Sequence, residues 1–69
     1  MSKRYVVGYA TRDGNTHEFR RYHMLSVALK IEDRLRGWLR VKYGQSIVAY
    51  TYDHEDPERG SLTDSDLED

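Results

Sequence analysis

The chain has 69 residues, no cysteine, and a formal net charge of −1 at neutral pH. Without thiols, neither a disulfide framework nor a thiolate metal site can reinforce the fold, which points to a reducing compartment. Apolar runs are too short to span a membrane, and Met1-Ser2-Lys3-Arg4 leads straight into Tyr5-Val6-Val7 without a secretory h-region, so the expected location is the cytoplasm, or the host cytoplasm for a viral source.

The first elements form a hairpin. "RYVVGYATR" is a β-branched and aromatic run of strand type, ended by Asp13-Gly14-Asn15, whose residues tolerate the positive φ of a tight turn. "THEFRRYH" returns as a polar strand. Its two large apolar side chains, Phe19 and Tyr22, fall on opposite faces at period two, the pattern of an edge strand guarded by charge.

A helix follows across "MLSVALKIEDRLRGWLRVKYG". At 100° per residue, Val27, Ala28, Ile31, Leu35 and Trp38 share a narrow sector with Leu39 at its margin, while Lys30, Asp33, Arg36 and Arg40 lie elsewhere. Ser26 is the expected N-cap, and Gly44 suits the left-handed position after the last turn. Leu29 points away from the core stripe and pairs with Leu25. Gly37 costs about 1 kcal/mol of helix propensity, which implies either a close packing contact or a tolerated defect.

"SIVAYTY" is the third strand, and the chain beyond it changes character. Residues 1–52 hold ten Lys/Arg against four acids, a balance of +6, whereas residues 53–69 hold eight acids against Arg59 alone, a balance of −7. The expected organisation is therefore a basic β-β-α-β domain over 1–52 and a disordered acidic tail over 53–69. The fold class is α+β: a three-stranded antiparallel sheet with one helix on one face and the last strand beside the first.

The faces of that sheet suggest where a partner docks. Small residues at Gly8, Ala10 and Ala49 let the helix approach, which assigns Val6, Ile47 and their neighbours at period two to the core. Tyr5, Tyr9, Tyr50 and Tyr52, with Val7 and Val48, then fall on a face that the single helix leaves uncovered, and an exposed apolar patch of that kind marks an interaction site. The plainer reading is that strand tyrosines cover their neighbours and keep their hydroxyls wet.

Other constellations carry less. Arg20, Arg21, Arg34, Arg36, Arg40 and Lys42, interleaved with aromatics, outline an alternative single-stranded nucleic-acid surface, although cations near a helix C-terminus also complement its dipole. His17, His23 and His54 lack metal-ligand spacing, and "DHEDPE" lacks the spaced oxygens and central glycine of an EF-hand loop, so no metal or other cofactor is expected. Ser2, Ser26 and Ser46 have no triad context. A 52-residue body is too small to enclose a typical pocket of ~300 Å³ or more, so the chain is not expected to be an enzyme. In the tail, Ser61, Thr63 and Ser65 each precede an acid by three residues, the spacing of acid-directed kinase sites and equally of a capping box.

The layout strand, tight turn, strand, Ser-capped helix, glycine, strand over residues 5 to 52 resembles that of the small coliphage inhibitor of bacterial RNA polymerase. That family carries arginines in its last strand where this chain has Tyr50 and Tyr52, and no functional residue is carried over. The leading expectation is a non-catalytic interaction protein, a small phage or bacterial regulator. It would bind a protein partner, such as a nucleic-acid enzyme, through Tyr5, Tyr9, Tyr50 and Tyr52 and through Asp53, Glu55 and Asp56 of the acidic tail. The alternatives are a single-stranded nucleic-acid binder autoinhibited by its tail and a structural homodimer joined face to face.

Overall fold

Three strands and one helix form in the order β1 (Tyr5–Ala10), β2 (Thr16–Tyr22), α1 (Leu25–Tyr43), β3 (Val48–Asp53) in the computed structural model, which describes residues 3–67. Met1, Ser2, Glu68 (the acid that follows Ser65 by three) and Asp69 lie outside the described residues. The strands run β2-β1-β3, antiparallel throughout. Gly14 turns the hairpin at φ 87° while the Thr11 amide donates to the Asn15 carbonyl at 2.8 Å. Asp13 braces the loop by accepting from the Thr11 hydroxyl and the Asn15 amide. Between β1 and β2 the register shifts after Val7, which pairs with Arg20 while Gly8 pairs with Glu18, leaving Phe19 as the extra residue of a bulge.

The helix begins earlier than its serine suggests. Met24, in an extended conformation, is the N-cap with no side-chain hydrogen bond, and Ser26 lies inside the first turn. At the other end Gly44 adopts φ 79° and donates its amide to the Arg40 carbonyl, as the positive-φ stop requires.

The buried stripe is also rotated from the apolar periodicity: it consists of Ala28, Glu32, Leu35 and Leu39, with Leu29 beside it, while Val27 and Trp38 are exposed. Glu32 causes the discrepancy. Its carboxylate turns to the edge of the stripe and pairs with Arg36 one turn on, so a charged residue occupies the centre of the core-facing sector. An apolar-only periodicity skips that position and swings toward Ile31 and Trp38.

One sheet face is corrected as well. Val7, Ala28, Leu35 and Leu39 make the core, with Tyr5, Tyr9, Tyr22 and Ile47 packed around it, so β1 turns its odd-numbered residues to the helix. Pairing of Tyr5 with Asp53, Val7 with Thr51 and Tyr9 with Ala49 places Ala49 and Thr51 on that same side. Val6, Gly8 and Ala10 therefore share the far face with Tyr52, Tyr50 and Val48. A change of register by one residue moves every side chain to the other face. The smallness of Gly8 admits the Tyr50 ring rather than the helix: a Cβ there would stand 3.1 Å from the Tyr50 hydroxyl and 2.6 Å from the His17 carbonyl oxygen.

The segment after residue 53, expected as a disordered tail, lies back against this body through Leu67. Two 3-10 turns, Pro57–Arg59 and Asp64–Leu67, shape it, and the Leu62 amide donates to the Thr51 carbonyl at 2.7 Å. Leu62 is 3% exposed. Burial of this side chain and hydrogen bonding to the free edge of β3 are what hold an otherwise polar segment in place. Thr63 and Asp66 form half of a capping box, the Thr63 amide donating to the Asp66 carboxylate at 2.8 Å.

Candidate interaction surface on the helix

Asp53 does not present its charge to a partner. It ends β3 fully buried, and its carboxylate accepts from Arg4 Nε at 2.8 and 2.9 Å and from the Glu55 amide at 2.9 Å. The Arg4 guanidinium, the largest influence, and the Glu55 amide hold this carboxyl below its usual range against the opposing effect of burial. Glu55 and Asp56 are exposed, with Glu55 at 4.0 Å from Arg4. Within the tail, Asp66 pairs with Arg59 at 2.7 Å.

The four tyrosines expected on one surface are divided between two. Tyr5 and Tyr9 are half-buried on the helix side, the first under the Arg4 guanidinium and the second stacked on His17 at 5.1 Å. Tyr50 and Tyr52 lie half-buried on the far face with ring centroids 6.1 Å apart. There the valine beneath them, Val6, is almost fully covered without any second layer. This matches tyrosines that shield their own strand, and it is the face a second copy of the chain would have to cover.

The six cations also fail to converge. Arg21 pairs with Glu18, and Arg36 pairs with Glu32 and approaches Asp33 at 3.9 Å. Arg20 lies over the Phe19 ring, and Lys42 lies over Trp38 at 5.0 Å and Tyr43 at 5.4 Å. Arg34 and Arg40 are exposed on the helix.

What gathers instead is apolar surface. Met24, Val27, Trp38, Val41 and Tyr43 are all exposed, Trp38 by 55% and Val41 by 89%. The tail occupies one flank of the helix, where Leu29, Arg36, Leu62 and Leu67 line an open groove of about 560 Å³. That groove was not foreseen because the tail supplies its second wall.

Since the tail runs along the free edge of β3, the opposite flank of α1 overhangs β2. The helix sits mainly over β1 and β3, so β2 remains exposed over Thr16–Arg20. At 100° per residue Met24, Val27, Ile31 and Trp38 fall on this overhanging flank, with Lys42 among them and Arg34 at its outer margin. The signal for this surface was present in the sequence as Trp38 and Val27, but both had been read as core.

Compared with protein-family models, curated proteins and solved structures, the chain matches none. Among the described residues no helix is long and apolar enough to cross a membrane.

Proposed function

We propose that the protein is a non-catalytic interaction protein that docks a protein partner through the overhanging flank of α1. The observation that carries this reading is the concentration of exposed Met24, Val27, Trp38 and Val41 on and beside one flank, while the chain's own tail lies along the other and forms an open groove with it. Apolar side chains left wet in this number, with a ring at their centre, are the usual anchors of a protein interface. Arg34 and Lys42 give the strip a positive rim, which suits a partner surface that is apolar at its centre and acidic around it. The exposed acids Glu55, Asp56, Glu58 and Asp64 lie in the tail segment and serve encounter with a basic surface more than final affinity. The class of partner we favour is a nucleic-acid enzyme, because the order of strands and helix resembles that of the coliphage inhibitor, although Met24 and not Ser26 stands at the helix cap; on that reading the chain is a small regulator of phage or bacterial type.

The test is capture from nuclease-treated lysate by immobilised full-length protein beside a Trp38→Ser/Val41→Ser variant and a Tyr50→Ser variant. A nuclease-resistant protein retained by wild type and Tyr50→Ser but lost by the flank variant supports the reading. Retention by the flank variant and loss by Tyr50→Ser returns the site to the far face of the sheet.

A further inference from the structure

The outward ridge of α1, between the two flanks, carries Lys30, Arg34, Gly37 and Arg40, all exposed. Lys30, Arg34 and Arg40 form no ion pair within 4 Å among the described residues. The one acid on the ridge, Asp33, lies toward Arg36 at 3.9 Å. Lys30 also reaches the rim of the tail groove, across which Asp64 lies.

Gly37 is the unexplained member. It sits inside a 19-residue helix, where glycine is the least favourable residue after proline. The close packing contact is absent within the chain, since a Cβ there would meet nothing within 4 Å, and its φ is not positive, which leaves a tolerated defect or a contact made with another molecule. It leaves a gap in the outer surface, bordered by Asp33 and Arg34 one turn before and by Arg40 and Val41 one turn after.

We propose that this ridge binds the phosphodiester backbone of a nucleic acid, with Gly37 as the point of closest approach. Charge decides the occupant. From Lys30 to Arg40, ten steps of the helix, three cations without an ion pair among the described residues span about 15 Å, enough to follow about four phosphates at the rise of one strand. A second copy presenting the same ridge would meet like charge, and the chain's own acidic segment is held on the neighbouring flank by Leu62. The missing side chain lets a backbone come against the helix, as glycine does wherever chains approach closely. Arg34 and the exposed Val41 border the apolar flank as well, so Lys30, Gly37 and Arg40 are the positions that distinguish this inference from the protein partner.

The experiment is fluorescence anisotropy of labelled oligothymidylate and of a duplex of equal length with the full-length protein, over a salt series. Wild type is expected to bind at low ionic strength with a slope of log affinity against log salt near −2 on the single strand, from three contacts at about 0.7 each. Each Lys30→Gln, Arg34→Gln or Arg40→Gln substitution lowers the slope by about 0.7. Gly37→Leu weakens binding about tenfold or more by filling the gap. Gly37→Ala separates function from fold: it raises the melting temperature by roughly 4–8 °C and still weakens binding. Absence of salt-dependent binding to both oligonucleotides overturns the proposal, and so does wild-type affinity in Gly37→Leu. If Gly37→Leu abolishes capture of a protein partner and leaves oligonucleotide binding unchanged, the ridge belongs to a protein interface and the proposal fails.

Discussion

Leu62→Ala tests whether the acidic segment is part of the folded unit. The side chain is 3% exposed, and its amide is bonded to Thr51 on the free edge of β3. Removing three carbons forfeits about 2.4 kcal/mol of transfer free energy at ~0.8 kcal/mol per group. The cavity contribution should be small, because the neighbouring groove opens to solvent and its walls can relax, which puts the total near the lower end of the ~2–5 kcal/mol range for such changes. For a domain of this size about 2 kcal/mol lowers the melting temperature by roughly 8–16 °C. Thermal unfolding by circular dichroism reads that shift, and hydrogen exchange at the Leu62 amide reads the local event directly. Leu67→Ala, at a half-exposed position in the last 3-10 turn, serves as the control and should cost well under 1 kcal/mol. A Leu62→Ala protein melting within two degrees of wild type, together with an unprotected Leu62 amide in the wild type, would refute the docking of this segment.

The glycines inside β1 and α1 should respond in opposite directions in urea unfolding. Gly8→Ala forces a Cβ against the His17 carbonyl and the Tyr50 ring and costs about 1–3 kcal/mol, whereas Gly37→Ala gains up to about 1 kcal/mol. Ser26→Ala should change stability by less than about 0.5 kcal/mol; a loss of ~1 kcal/mol or more would restore the serine as the helix cap. Because the Arg4 guanidinium holds the Asp53 carboxyl low in the folded state, the unfolded chain binds the extra proton between the folded value and about 3.9, and stability rises with pH across that window. The contribution is complete above about pH 4 and disappears as pH falls through the folded value. An Asp53→Asn variant should lack this part of the acid limb in urea midpoints, and a native Asp53 titrating at or above 3.9 by NMR would contradict the clamp.

Element order, the Gly14 hairpin and the Gly44 stop were legible because each is a local matter of turn chemistry or periodicity. The register of β3 against β1 was not: the pairing of exposed Arg4 with buried Asp53 and the seat that Gly8 offers to Tyr50 are non-local, and both accompany the register that decides which tyrosines face the helix. The rotation of the helix was hidden by Glu32, a carboxylate that reads as surface in any hydropathy pattern and is buried here beside Arg36. Composition marks the tail as solvated, whereas the burial of Leu62 and the bond of its amide to the open edge of β3 are non-local and leave no trace in composition. The candidate surface is hidden for the same reason, since apolar periodicity places Trp38 and Val27 inside while both are exposed.

Trp38 is the chain's only tryptophan, so its fluorescence reports the central claim without labels. Acrylamide quenching of the free protein, at a concentration where sedimentation shows a single chain, should be that of a half-exposed indole, well above that of a buried one, and addition of the captured partner should suppress it. A Trp38 already shielded from quencher in the lone chain, or one that stays open in the complex, would contradict the assignment of this flank as the docking surface.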